Sequence, residues 1–134
     1  MANTFYRKGV EKVLSGQINF LADTIVARMV RNDYAQNTAS DEFLSQATPI
    51  TGATNHTLAG KNVANGVFDA EDITFASVPA GEVSEGLVLA KWTGSEATSP
   101  LIAYIDQISG FPLTTTGGDV LVQWDNGAYK IFSL

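Results

Sequence analysis

The chain has 134 residues, a formal net charge of −6 and no cysteine. That length fits one domain with a core of useful size. The acidic balance excludes a general nucleic-acid binder, which needs a basic footprint, and the missing thiols exclude disulfides, thiolate metal sites and a cysteine nucleophile.

Residues 5–15 read as a helix, because Tyr6, Val10, Val13 and Leu14 recur at three and four positions and Gly16 follows as a stop. Gly9 inside the run works against it. Residues 1–16 are therefore a possible helical arm. Apolar residues 18–21 open an edge strand. Residues 24–31 read as a strand with Ile25, Ala27 and Met29 on one side and Val26, Arg28 and Val30 on the other. Two largely apolar faces suit the inside of a sandwich. Thr38 and Asp41 have near capping-box spacing ahead of a short helix over 41–46. Gly60 and Gly66 interrupt any strand over 58–67. Strands follow over 73–78, 87–92 and 101–106.

Asn126-Gly127 is a strong hairpin signal, since both residues tolerate the positive φ of a two-residue primed turn. Folding about it sets Trp124 opposite Tyr129, Val122 opposite Ile131 and Val120 opposite Ser133. Short strands with turn signals every ten or so residues predict a mainly β fold. The expectation is one domain over 1–134, an antiparallel β-sandwich or barrel-like structure with a short N-terminal helix and one further short helix. No run is long enough to span a bilayer and no signal-type segment opens the chain. An intracellular product, or one released by lysis, is expected.

Signals for chemistry are weak by comparison. Asp69, Glu71 and Asp72 are the best metal candidates, but their spacing misses the calcium-loop pattern and suits a solvated turn. His56 is the lone histidine, in a polar loop, without the nucleophile motif a triad would need. Trp92, Trp124, Tyr104 and Tyr129 are potential stacking groups for a sugar or base, although aromatic residues on strands more often anchor a core or an interface. No catalytic, cofactor-binding or metal residue is assigned.

Charge is unevenly placed. Residues 1–31 carry five basic side chains against two acidic ones, and the remainder carries three against twelve. Such a basic end can dock on an acidic partner, including an acidic patch of a neighbouring copy. Arg7, Lys8 and Lys12 are the candidate partner-binding residues there. Trp124 and Tyr129 are candidates for a self-association surface in the last hairpin.

Several stretches together resemble a group of small tailed-bacteriophage virion proteins. They are Gly9-Val-Glu-Lys-Val-Leu-Ser-Gly16, Asn19-Phe-Leu-Ala-Asp-Thr-Ile25, Glu42-Phe-Leu44, Asp69-Ala-Glu-Asp-Ile-Thr-Phe75, Ala97-Thr-Ser-Pro-Leu-Ile-Ala-Tyr-Ile-Asp106 and the terminal segment from Gly117 through Trp124 to Phe132. The resemblance spans nearly the whole chain and carries no catalytic signature. It implies a non-enzymatic virion component made in the host cytoplasm, without cofactor, nucleic-acid or membrane partner. A capsid decoration (cement) protein is the leading expectation. Its partners would be the major capsid protein, other virion proteins and further copies of itself, with a trimer as the assembly. A tail, neck or baseplate component is the alternative, followed by a carbohydrate-binding module for host adsorption.

Overall fold

The computed structural model describes residues 4–53, 55–106, 108–125, 127 and 130–133. The protein is mainly β, with antiparallel sheets and, among the described residues, one α-helix. The strands are β1 (Thr4–Phe5), β2 (Ile25–Arg31), β3 (His56–Thr57), β4 (Asn62–Ala64), β5 (Val67–Asp69), β6 (Ile73–Phe75), β7 (Val83–Lys91), β8 (Leu101–Ile105), β9 (Leu113–Thr114), β10 (Val120–Val122) and β11 (Phe132–Ser133). Helix α1 is Arg7–Leu14.

A central sheet has the order β1-β8-β7-β2-β3, with β9 paired to the start of β7. Its long strands carry apolar side chains on both faces, as the sequence of 24–31 predicts. Ile25, Ala27 and Met29 point with Leu87 and Leu89 into the larger core, whereas Val26, Val30, Val88 and Ala90 join a second cluster behind the sheet. The β7–β8 register slips between Leu89 and Ala90. Leu89 faces Ala103 and Ala90 faces Leu101, which leaves Ile102 as the extra residue of a bulge.

Two small sheets cover the larger core, giving a β-sandwich-like arrangement. One is the β6–β10 pair and the other is β4, β5 and β11. Phe68 of β5 and Phe132 of β11 stack 5.3 Å apart, and both meet Phe20. Phe132 also meets Phe5 edge-on at 5.0 Å, so this cluster ties β1 to the small sheet. Asn65 and Gly66 join β4 to β5 with Ala64 facing Val67, and both turn residues have positive φ (53° and 76°). That is the requirement of a primed two-residue turn.

The second face is covered by the chain between β2 and β3. A single 3-10 turn, Leu44–Gln46, buries Leu44, and Ala47 follows it inward. This turn replaces the helix expected over 41–46; Gln46 Oε1 accepts the N–H groups of Glu42 and Phe43 and closes the segment early. Arg28 enters this cluster from β2 and is 1% exposed. Its Nη1 donates to the carbonyls of Ala47 (2.8 Å) and Leu44 (3.2 Å), its Nε to Asn55 Oδ1 (3.1 Å), and its Nη2 pairs with Glu96. One guanidinium thus fastens three separate loops, as its fork of donors permits.

Two expected elements are corrected. The last strands do not form a mutual hairpin: β10 pairs with β6, with Val120 opposite Phe75 and Val122 opposite Ile73, whereas β11 pairs with β5. Asn126 and Tyr129 lie outside the described residues, and with them the expected turn and the Trp124–Tyr129 pair. Residues 18–21 form a turn in place of an edge strand. Asn19 Oδ1 accepts the N–H groups of Leu21 and Ala22, and the Asn19 N–H donates to Asp23 Oδ2. These side-chain bonds compete with extended backbone.

Candidate docking site

The segment expected as an arm lies along the central sheet. Thr4 and Phe5 pair with Tyr104 and Ala103 of β8, and Tyr6 is fully buried in the second cluster. Helix α1 then runs close over β8. A Cβ on Gly9 would lie 2.1 Å from the Leu101 carbonyl oxygen, so glycine is what permits this approach. The three basic residues of the segment have different fates. Lys12 Nζ pairs with Glu42 Oε2 at 2.7 Å and lies 5.5 Å from the centre of the Phe43 ring. The hydrogen bond from Lys12 holds the Glu42 carboxyl below its usual range. Arg7 and Lys8 are exposed, and neither makes an ion pair among the described residues.

Arg7 and Lys8 border an open groove of about 710 Å³ along the helix. Sharing its Phe5, Val10 and Leu14 walls is a smaller notch of about 110 Å³, completed by Val13, Phe20 and Ile102. The notch lining is wholly apolar. Leu14 at its lip is 82% exposed, although helical periodicity groups it with the inward residues. An apolar cavity of about 150 Å³ holds a benzene ring, so this notch suits a branched aliphatic side chain.

A second apolar feature stands on β10. Exposure alternates through and beyond the strand: Asp119, Leu121, Gln123 and Asp125 are exposed, while Val122 and Trp124 are buried in the core. Leu121 is 54% exposed and pairs across the ladder with exposed Thr74. Exposed Asp72, immediately before β6, adds a further carboxylate. The next register pair is Val120–Phe75, and the Phe75 ring meets His56 of edge strand β3 at 5.7 Å. The acidic Leu121 face therefore lies toward the β3 edge of the central sheet. The basic notch lies at the β1 edge.

The other sequence candidates occupy structural positions. Trp124 is 4% exposed; its indole N–H donates to the Glu71 carbonyl at 3.0 Å, and its backbone N–H to Asp72 Oδ1 at 2.9 Å. It is a core anchor in this chain, and Leu121 of the preceding β10 is the residue that faces outward. Tyr129 lies outside the described residues. Tyr104 and Trp92 belong to the second cluster, on the far side of the sheet from Trp124, so these three do not assemble a stacking platform. Asp69, Glu71 and Asp72 do not converge: among the described residues no group of three potential metal ligands is found. His56 Nδ1 lies 3.0 Å from the Thr57 carbonyl oxygen.

Burial and hydrogen bonding shift several titrating groups. Tyr6, whose hydroxyl is 2.6 Å from that of Tyr34, is raised by burial and by that bond. Tyr34 donates to Asp41 Oδ2 at 2.8 Å and is also raised, chiefly by burial. Tyr104 is pushed up to about 12 by burial, with Asp106 and Glu85 adding to the effect. These phenols stay protonated at neutral pH, and those of Tyr6 and Tyr34 act as hydrogen-bonding struts.

No protein-family model matches the chain, and no curated protein or solved structure matches it.

Proposed function

We propose that this chain is a non-enzymatic structural component of a tailed-bacteriophage virion, foremost a capsid decoration protein that binds the outer shell and stabilises it. The reading is supported by the resemblance of its sequence stretches to small virion proteins. The observation that carries it is the exposure of four large apolar residues, Leu14, Leu21, Val63 and Leu121, on a β scaffold whose large apolar residues are otherwise mostly buried. Contiguous exposed apolar surface marks contact with neighbours, and at Leu14 it continues into the apolar notch. The described titratable side chains are largely engaged in holding loops in place.

Such a protein works by repetition. Each copy contributes a modest contact, and many copies held on one lattice raise the total attachment without a strong individual site. Deleting residues 1–12 would remove β1 and the buried Tyr6, so it is not a clean test of docking. The informative experiment places the protein in the intact particle by labelling and imaging, and adds purified protein to shells lacking it. The expected result is saturable binding to the head exterior. Density at the tail or neck would favour the other structural role, and absence from purified particles would overturn the proposal.

A further inference from the structure

We infer that copies of this chain join head to tail, the acidic Leu121 face of one copy seating on the basic, notched face of helix α1 in the next. This rests on the assembly reading above only in taking contact between neighbours as the task of these surfaces.

Shape and polarity point the same way. The notch beside Leu14 is apolar throughout and has room for an aliphatic side chain. Leu121 is such a side chain, exposed on a short strand that pairs, among the described residues, with β6 alone. Burying both removes two apolar patches from water at once. Charge provides the orientation. Arg7 and Lys8 flank the groove, with Glu11 as the acidic residue among its lining. Asp119 precedes the strand and Asp125 follows it, both exposed, and exposed Asp72 immediately precedes β6. Each of the three carboxylates accepts one backbone N–H, from Ser77, Gly127 and Trp124 respectively, which fixes its place while leaving its charge.

The two surfaces are separate, one toward each edge of the central sheet. Notch against notch would oppose Arg7 and Lys8 with themselves, and Leu121 face against Leu121 face would oppose carboxylates. Like charges so placed disfavour a reciprocal dimer. The remaining arrangement sets unlike surfaces together; where each contact uses a different neighbour it is heterologous and closes into a ring or continues as a filament according to the rotation between copies.

The test uses the purified full-length chain in sedimentation velocity, with no particle present. At about 0.05 M salt the mass is expected to rise with concentration, and at about 0.5 M salt to fall back, because exposed charge pairs are screened. Leu14→Ser and Leu121→Ser each weaken association about tenfold or more. Both positions are exposed, so the melting temperature of each variant stays close to that of the parent.

Mixing the two variants is decisive. Each retains one good surface, so an equimolar mixture forms pairs and nothing larger. Lys8→Glu weakens association, and adding Gln123→Lys to the same chain restores part of it. A parent chain that stays monomeric at every concentration, or a mixture no different from its components, would overturn the inference. So would variants that associate as the parent does, whatever other protein then proves to fill the notch. Shell binding without self-association would remove this contact and leave the virion role standing.

Discussion

Gly9 lies against the Leu101 carbonyl so closely that an added Cβ would sit 2.1 Å from its oxygen and 3.0 Å from Ile102 Cα. Those are backbone atoms of a central strand and have little freedom to retreat. Alanine gains about 1 kcal/mol over glycine in a helix, but overpacking at a rigid site costs up to about 3 kcal/mol. Gly9→Ala is expected to lose about 2 kcal/mol net in urea unfolding. A stabilised variant would show that the helix does not rest on β8.

Arg28 fastens loops from inside the second cluster. Arg28→Met keeps much of the volume and removes the donors to the Leu44 and Ala47 carbonyls and to Asn55. The Leu44 carbonyl keeps the Ala47 N–H, so the cost falls on the Ala47 carbonyl and Asn55; each buried acceptor left without a donor costs about 1–3 kcal/mol, and a loss of about 3 kcal/mol is expected. Glu96 is 48% exposed, and Glu96→Gln should lose less than about 1 kcal/mol. Chemical denaturation of both variants reads the contrast, and equal losses would contradict it.

The Tyr6–Tyr34–Asp41 chain has a direction. Tyr34 donates to Asp41, so the Tyr6 hydroxyl must donate to Tyr34. Tyr34→Phe strands a fully buried hydroxyl and is expected to cost about 2 kcal/mol, whereas Tyr6→Phe removes a donor and costs about 1 kcal/mol. Thermal unfolding gives the order directly. The reverse order would mean that the relay runs the other way.

Alkali weakens the fold through the same phenols. Between pH 10, the ordinary tyrosine value, and the folded value of about 12 for Tyr104, the unfolded chain binds fewer protons than the folded one. Stability therefore falls as pH rises through this window. Tyr6 and Tyr34, raised as well, extend the loss to higher pH. At the acid end Asp23, held down chiefly by the Asn19 backbone N–H, and Glu42 and Glu82, held down chiefly by their Lys12 and Thr51 bonds, reverse the sign. Their stabilisation is present above the unfolded values of 3.8 for Asp and 4.5 for Glu and is lost as pH falls through the lower folded ones. Unfolding curves across pH, with tyrosinate absorbance followed in parallel, check both limbs. A flat profile above pH 10 would contradict the burial of the phenols.

The long strands were legible because their evidence is local. Alternation on two apolar faces placed β2, and short apolar runs placed β6, β7 and β8 within a few residues. The two Asn-Gly pairs show where local reading stops. Asn65-Gly66 closes β4 onto β5 through a two-residue turn, yet the glycine was read only as an interruption. Asn126-Gly127 carried the same signal, but the flanking strands found better partners far away. Phe132 stacks on Phe68, and Trp124 hydrogen-bonds to Glu71 and Asp72. At the candidate docking site, composition singled out Arg7 and Lys8. It could not distinguish them from Lys12, whose partner Glu42 is brought near only by the fold. Leu14 escaped because helical period describes a face, not where the underlying sheet ends.

The pairing of Thr4 and Phe5 with Tyr104 and Ala103 has a consequence during synthesis. The first strand leaves the ribosome roughly 100 residues before its partner, about 5–20 s earlier at ordinary elongation rates. Throughout that interval Phe5 and Tyr6 have no sheet to enter. The nascent chain must carry these apolar residues unpaired until β8 has emerged, a high-contact-order route on which chaperone capture competes with folding.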